Sequence, residues 1–197
     1  MIETEEFVQL IVNLQKNKAK AFVKKIYRDN LQKYGDALVT VILVQANRKL
    51  QETLRGYYVD EAYVTRNSDR KKVFCTIDSM CDAVKERTKE NGERILRKAV
   101  SYIENNLSDS SLYAGSVAQF VGVSGSSLSK LFEKELGVTP VRYIAENRVK
   151  KSIAFLTEND ASIKAVAEMS GFSSAEAYIR AFKKIYGTTP GKYKEQE

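Results

Sequence analysis

The 197-residue chain has no histidine and no tryptophan, two cysteines and two prolines. Without imidazole there are no histidine metal ligands and no histidine-dependent catalytic triads. Cys75 and Cys81 lack metal-ligand spacing and read as reduced thiols, either structural or neutral. Long apolar runs are missing too. The longest apolar-rich piece, residues 37–46, falls well short of the roughly 20 residues a bilayer-spanning helix needs. Met1 is followed by Glu3, Glu5 and Glu6 where a secretory leader would carry basic residues, so a cytoplasmic chain without membrane contact is expected. No phosphate loop, nucleophile elbow or zinc signature occurs. An enzyme is therefore not expected, and neither a cofactor nor a metal is called for.

What is present is an ordinary apolar content of 43% and a net charge of +7. A basic balance suits a phosphate-rich partner, although a merely soluble basic surface would give the same number. Organisation is more informative than charge. In residues 162–193 Ser162 reads as an N-cap, followed by Ile163, Val166 and Ala167 at helical spacing. Gly171 supplies a left-handed helix stop. Ser173, with Glu176 three positions later, forms a capping-box pattern that opens a second helix. That helix places Tyr178, Ile179, Phe182 and Ile185 on one face and ends at Gly187. A short helix, a glycine-centred turn and a longer capped helix make a helix-turn-helix.

The same parts occur twice. Val117, Ala118, Gly122 and Ser124 match Val166, Ala167, Gly171 and Ser173 at an offset of 49. Phe132, Lys134, Gly137, Thr139, Pro140 and Tyr143 match Phe182, Lys184, Gly187, Thr189, Pro190 and Tyr193 at an offset of 50. One residue is thus inserted in the second copy, placed by this pattern between the cap serine and the phenylalanine. A repeated supersecondary unit is a strong signal in a lone sequence. Here it predicts two tandem helix-turn-helices at about 112–137 and 162–187. Thr139 and Pro140 open a connecting helix that runs to about Leu156. Its roughly 17 residues at 1.5 Å rise make a strut on the order of 25 Å long.

These repeats, with Arg148-Val149 in the connecting helix and Gly171, Phe172, Phe182, Lys183, Lys184, Gly187, Thr189 and Pro190 in the second copy, resemble the DNA-binding domain of the AraC family of bacterial transcription regulators. The resemblance covers about half of the chain. It implies an all-α fold that inserts two recognition helices into successive major grooves of double-stranded DNA, most often as an activator in contact with RNA polymerase. By position, Ser126, Ser129 and Lys130 align with base-facing residues of the family's first recognition helix, and Ala175, Glu176 and Arg180 with those of the second. Helical phase adds Ser127 to the outward face of the first. Lys130 and Arg180 can each donate to guanine O6 and N7. The first head's serines are weaker readers, so the second head is expected to discriminate more. Glu176 reads either as a base acceptor or as a group spent on its own helix N-terminus. Phosphate contacts fall to Ser124 and Ser173, at helix N-termini, and to Lys134, Lys183 and Lys184. Arg148 is expected to bond within the protein rather than to a base.

Residues 1–90 read as a mainly helical domain ahead of the DNA-binding domain at 91–197. Thr4 would cap a helix with the stripe Phe7, Leu10, Ile11 and Leu14, and Asn17 a second that ends at Tyr34-Gly35. A third would run from Asp36 towards Arg55. Residues 57–72 read as a polar connector with room for a short strand. Helices at about 78–90 and 93–106 would be separated by Asn91-Gly92. The apolar run Leu38–Val44 reads as the domain's core, as a homodimer or signal-transmission seam, or as the wall of a small-molecule effector pocket. Two other readings of the whole chain stay open. One is a protein-interaction module that binds DNA without sequence preference; the other is an effector-sensing repressor.

Overall fold

In the computed structural model, residues 2–29, 35–67, 69, 72–157 and 161–195 are described. Every regular element among them is a helix. The chain divides into two compact units, Met1–Asn91 and Gly92–Glu197.

The first unit holds α1 (Ile2–Val12), α2 (Lys16–Asp29), α3 (Gly35–Thr53), α4 (Glu61–Arg66) and the first part of α5 (Val73–Asn105). Phe7 and Ile11 of α1, Val23 of α2, Val39, Leu43 and Leu50 of α3, and Ile77 and Met80 of α5 form its core. Each fully buried side chain of this size contributes about 1.5–3 kcal/mol. Asn47 is fully buried yet satisfied: its amide donates to Val59 O at 2.9 Å, and the Tyr57 hydroxyl donates to its Oδ1 at 2.9 Å. Pairing of this kind is what makes a buried amide tolerable. Cys81 is buried, and burial pushes its thiol up to about 11, so it is an inert packing group.

Several expectations are corrected here. Helix α1 begins before Thr4, whose hydroxyl lies 3.1 Å from Gln45 Oε1 rather than capping the helix. Leu14 leaves the stripe: it lies beyond α1 in a left-handed conformation, and Val8 joins the core in its place. Helix α2 starts one residue ahead of Asn17; Tyr34 lies outside the described residues, and Gly35 begins α3 instead of closing α2. The polar connector contains α4, capped by Asp60 through the amide of Ala62 at 3.0 Å. Asn91-Gly92 does not break α5. Glycine in a helix interior costs only about 1 kcal/mol relative to alanine, and α5 is anchored before it by Val73, Ile77, Met80 and Val84 in the first core and after it by Ala99 and Ile103 in another. The run Leu38–Val44 gives Val39, Ile42 and Leu43 to the unit's own core and leaves Val41 49% exposed.

The second unit holds the rest of α5, then α6 (Ala114–Val121), α7 (Gly125–Leu136), α8 (Pro140–Thr157), α9 (Ile163–Met169), α10 (Ala175–Tyr186) and α11 (Pro190–Lys194). It has two cores. Ala99, Ile103, Leu112, Val117, Leu128 and Phe132 form the first, around α6 and α7. Val166, Ala167, Tyr178 and Phe182 form the second, around α9 and α10. Helix α8 supplies Ile144 to the first and Val149 and Leu156 to the second. One helix is therefore sealed into both heads along its length, which makes it a strut rather than a linker.

Candidate nucleic-acid interface

Each head is a helix, a turn and a recognition helix, set by local chemistry. In the first, Ser116 Oγ accepts from the Tyr113 amide at 3.1 Å and so ties down the start of α6. Gly122 ends α6 at φ 75°. Ser124 then caps α7: its Oγ accepts from the Ser127 amide at 3.1 Å and lies 3.0 and 2.8 Å from the Ser126 and Ser127 hydroxyls. In the second head, Ser162 caps α9 through the Ala165 amide at 3.2 Å.

The cap of α10 is Ser174, not Ser173. Ser174 Oγ accepts from the Ala177 amide at 3.2 Å, and Ser173 stands exposed one residue earlier. Two adjacent serines are equally competent caps. The capping-box pattern favours the first, whereas burial of Phe172 in the turn leaves the second at the helix start. The register of the repeat changes accordingly. Ser124 and Ser174 share the offset of 50 that relates Phe132 to Phe182 and Gly137 to Gly187, so the inserted residue lies in the turn. Helices α7 and α10 are both 12 residues long and correspond position by position in sequence, Ser126 with Glu176, Lys130 with Arg180 and Lys134 with Lys184. Ser174→Ala should cost about 1 kcal/mol, as a lost N-cap does. Ser173→Ala should be near neutral in urea denaturation, and the reverse order would restore Ser173 as the cap.

Ser126, Ser127, Lys130, Lys134, Glu176, Arg180, Lys183 and Lys184 are exposed; Ser129 and Ala175 are half-buried. Lys134 pairs with Glu135 at 2.5 Å, whereas Lys130, Lys183 and Lys184 have no ion-pair partner among the described residues. Glu176 serves its own helix start while staying exposed on the outer face of α10. Its own backbone N–H and the Ser174 hydroxyl hold its carboxyl below the ordinary value, with Arg180 adding a smaller attraction.

Arg148, on α8, is 9% exposed and bonds inward as expected. Its Nε donates to Leu107 O at 2.9 Å and its Nη2 to Asp109 O at 2.6 Å and Leu112 O at 3.2 Å. The guanidinium also lies 5.9 Å from the Phe172 ring centroid. Lys151 adds a bond to Ser108 Oγ at 2.8 Å. The loop leaving α5 is thereby fastened to α8 beside the turn of the second head. Gly171, in that turn, has φ 82°, and a Cβ there would fall 2.0 Å from Leu107 O. Ser152 lies 2.7 Å from Val149 O and 3.0 Å from the Tyr178 hydroxyl, so this helical serine satisfies a buried phenol. The family resemblance pointed to Arg148; nothing in the sequence pointed to the three carbonyls it binds.

A family profile described as a helix-turn-helix domain matches residues 117–196. The chain is 31% identical over 104 residues to the probable transcription factor PqrA of Proteus vulgaris, covering 52% of this chain and 85% of that protein. The chain belongs to the AraC family of bacterial transcription regulators. It is also 30% identical over 113 residues to the arabinose operon regulatory protein of Escherichia coli (strain K12), covering 57% of this chain and 39% of that protein. Among solved structures it is similar to the C-terminal domain of AraT, a response regulator from Geobacillus stearothermophilus. That similarity has a TM-score of 0.50 at 32% identity and covers 52% of this chain and 85% of the other. The chain spans between 16% and 39% of the length of the first curated regulators it matches. As an AraC-family member it belongs to a group of DNA-binding transcription regulators rather than enzymes. No helix among the described residues is long and apolar enough to cross a membrane.

Proposed function

We propose that this AraC-family chain is a sequence-specific transcription regulator, an activator, that lays α7 and α10 into successive major grooves of one duplex. The observation that carries the reading is the matched register of two exposed recognition helices on a single strut, α8. Two heads held at fixed spacing read subsites about one helical turn, or about 34 Å, apart. On this reading Ser126, Ser127, Ser129 and Lys130 face bases from the first head, and Ala175, Glu176 and Arg180 from the second. Lys130 and Arg180 are the principal readers because they occupy equivalent positions and are exposed. Ser124, Lys134, Ser173, Lys183 and Lys184 hold phosphates; the corrected cap adds Ser174, whose helix start presents the amides of α10. Contact with RNA polymerase belongs to this reading through family resemblance; pairing of two copies and a small-molecule effector rest on the Leu38–Val44 run alone, whose Val39, Ile42 and Leu43 lie in the unit's own core.

Arg180→Ala should abolish sequence preference at one subsite, a loss of about 1–3 kcal/mol against the wrong base. Lys184→Ala should weaken all duplexes alike and reduce the salt slope by about 1. Selection of sites from random duplexes with each variant, followed by salt titration, separates the two roles. Identical behaviour of the variants would refute the assignment. Failure to enrich any motif would favour an interaction module with non-specific DNA binding.

A further inference from the structure

Helix α5 presents two adjacent stripes in the second unit, Arg97 with Ser101 and Lys98 with Tyr102, each spaced four residues apart and so on one face. They form one wall of a groove whose other wall is Phe120 and Val121 of α6. Phe120 is 58% exposed, although a buried or half-buried residue is the usual fate of phenylalanine. One of its faces stacks on Tyr102, with ring centroids 4.1 Å apart and planes at 17°. The ring's remaining surface carries that exposure. Arg97 and Lys98 take part in no ion pair among the described residues, and no carboxylate lines the groove.

We propose that this groove docks an acidic segment of a partner protein through an aromatic side chain laid on Phe120 and carboxylates set against Arg97 and Lys98. Aromatic rings and arginine are the residue types that anchor protein interfaces. The unopposed cations define the sign of the partner, since complementary charge is what selects it. Duplex phosphates would answer the cations but offer nothing apolar to the ring. A second copy of the chain is a poor occupant through its acidic start, because Phe7, the aromatic residue there, is fully buried in its own core. The proposal concerns a surface apart from the recognition helices and does not depend on which bases they read.

The chain has no tryptophan, so a short peptide of glutamate and aspartate with one central tryptophan reports its own binding by fluorescence. With the full chain, a saturable blue shift is expected. Phe120→Ala and the pair Arg97→Glu/Lys98→Glu should each weaken binding at least tenfold. A peptide with lysines in place of its carboxylates should bind the charge-reversed pair better than the unaltered chain. Lys18→Glu/Lys25→Glu, on the exposed side of α2, should leave acidic-peptide binding unchanged; equal weakening there would reduce the effect to net charge and overturn the proposal. Binding indifferent to Phe120→Ala, with thermal melting confirming a folded variant, would overturn it too. So would competition in which a mixed-sequence duplex displaces the peptide and itself loses affinity on Arg97→Glu/Lys98→Glu, because the groove would then be a phosphate contact. A concentration-dependent dimer that dissociates on the same charge reversal would make the occupant a second copy, and the partner-protein reading would fall.

Discussion

Gly171→Ala should destabilise the second unit far more than Gly122→Ala, although both glycines end the first helix of a helix-turn-helix with positive φ. The left-handed conformation costs an alanine about 1–2 kcal/mol at either site. At Gly122 that is the whole effect, since a Cβ there meets nothing within 4 Å. At Gly171 the added carbon would fall 2.0 Å from Leu107 O and 3.0 Å from Ser108 C, both backbone atoms that cannot rotate away. Forcing a methyl into packed surroundings adds about 1–3 kcal/mol. The total is about 2–5 kcal/mol, and at about 4–8 °C per kcal/mol for a domain near this size the melting temperature should fall by about 8 °C or more. Circular-dichroism melting of the two variants decides it. Equal losses would mean that the turn of the second head is not pressed against the Leu107 loop.

Arg148→Ala carries the second large effect. Three carbonyls, of Leu107, Asp109 and Leu112, receive hydrogen bonds from one guanidinium. A hydrogen bond to a charged donor contributes about 1.5–3 kcal/mol, and a buried acceptor left without a donor adds its own desolvation penalty. The loss should reach about 3 kcal/mol or more, short of a plain sum because Nη2 serves two acceptors. Arg148→Lys should recover little, because a single ammonium lacks the planar fork that reaches three diverging oxygens. The variant should also weaken two-subsite DNA binding more than single-subsite binding, since the loop it releases adjoins the turn of the second head. A footprint of unchanged length and affinity in a folded Arg148→Lys chain would remove that role. Gly171 and Arg148 share Leu107 O, so the double variant should cost less than the two single losses added together.

The parts of this molecule that could be read without coordinates are those governed by interactions within a few residues. Serine hydroxyls reach amides three positions on, as at Ser124 and Ser162; glycines accept positive φ, as at Gly122, Gly137, Gly171 and Gly187; apolar side chains recur at helical spacing. Repetition of these signals, at offsets of 49 and 50, exposed the paired heads before any packing was known.

Where two local options were nearly equal in free energy, tertiary contacts chose between them. Ser173 and Ser174 can both cap, and burial of Phe172 selected the second. Asn91-Gly92 can break a helix or continue it, and α5, anchored in one core before the pair and in another after it, continues. Partners distant along the chain were never legible: Arg148 binds carbonyls 36–41 residues away, and Tyr102 meets Phe120 only because α5 and α6 lie together. Cap and turn preferences of about 1 kcal/mol are enough to place helix ends, but the choice among equivalent ends, and the neighbours of a buried cation, depend on larger packing and desolvation energies that exist only once the chain has folded.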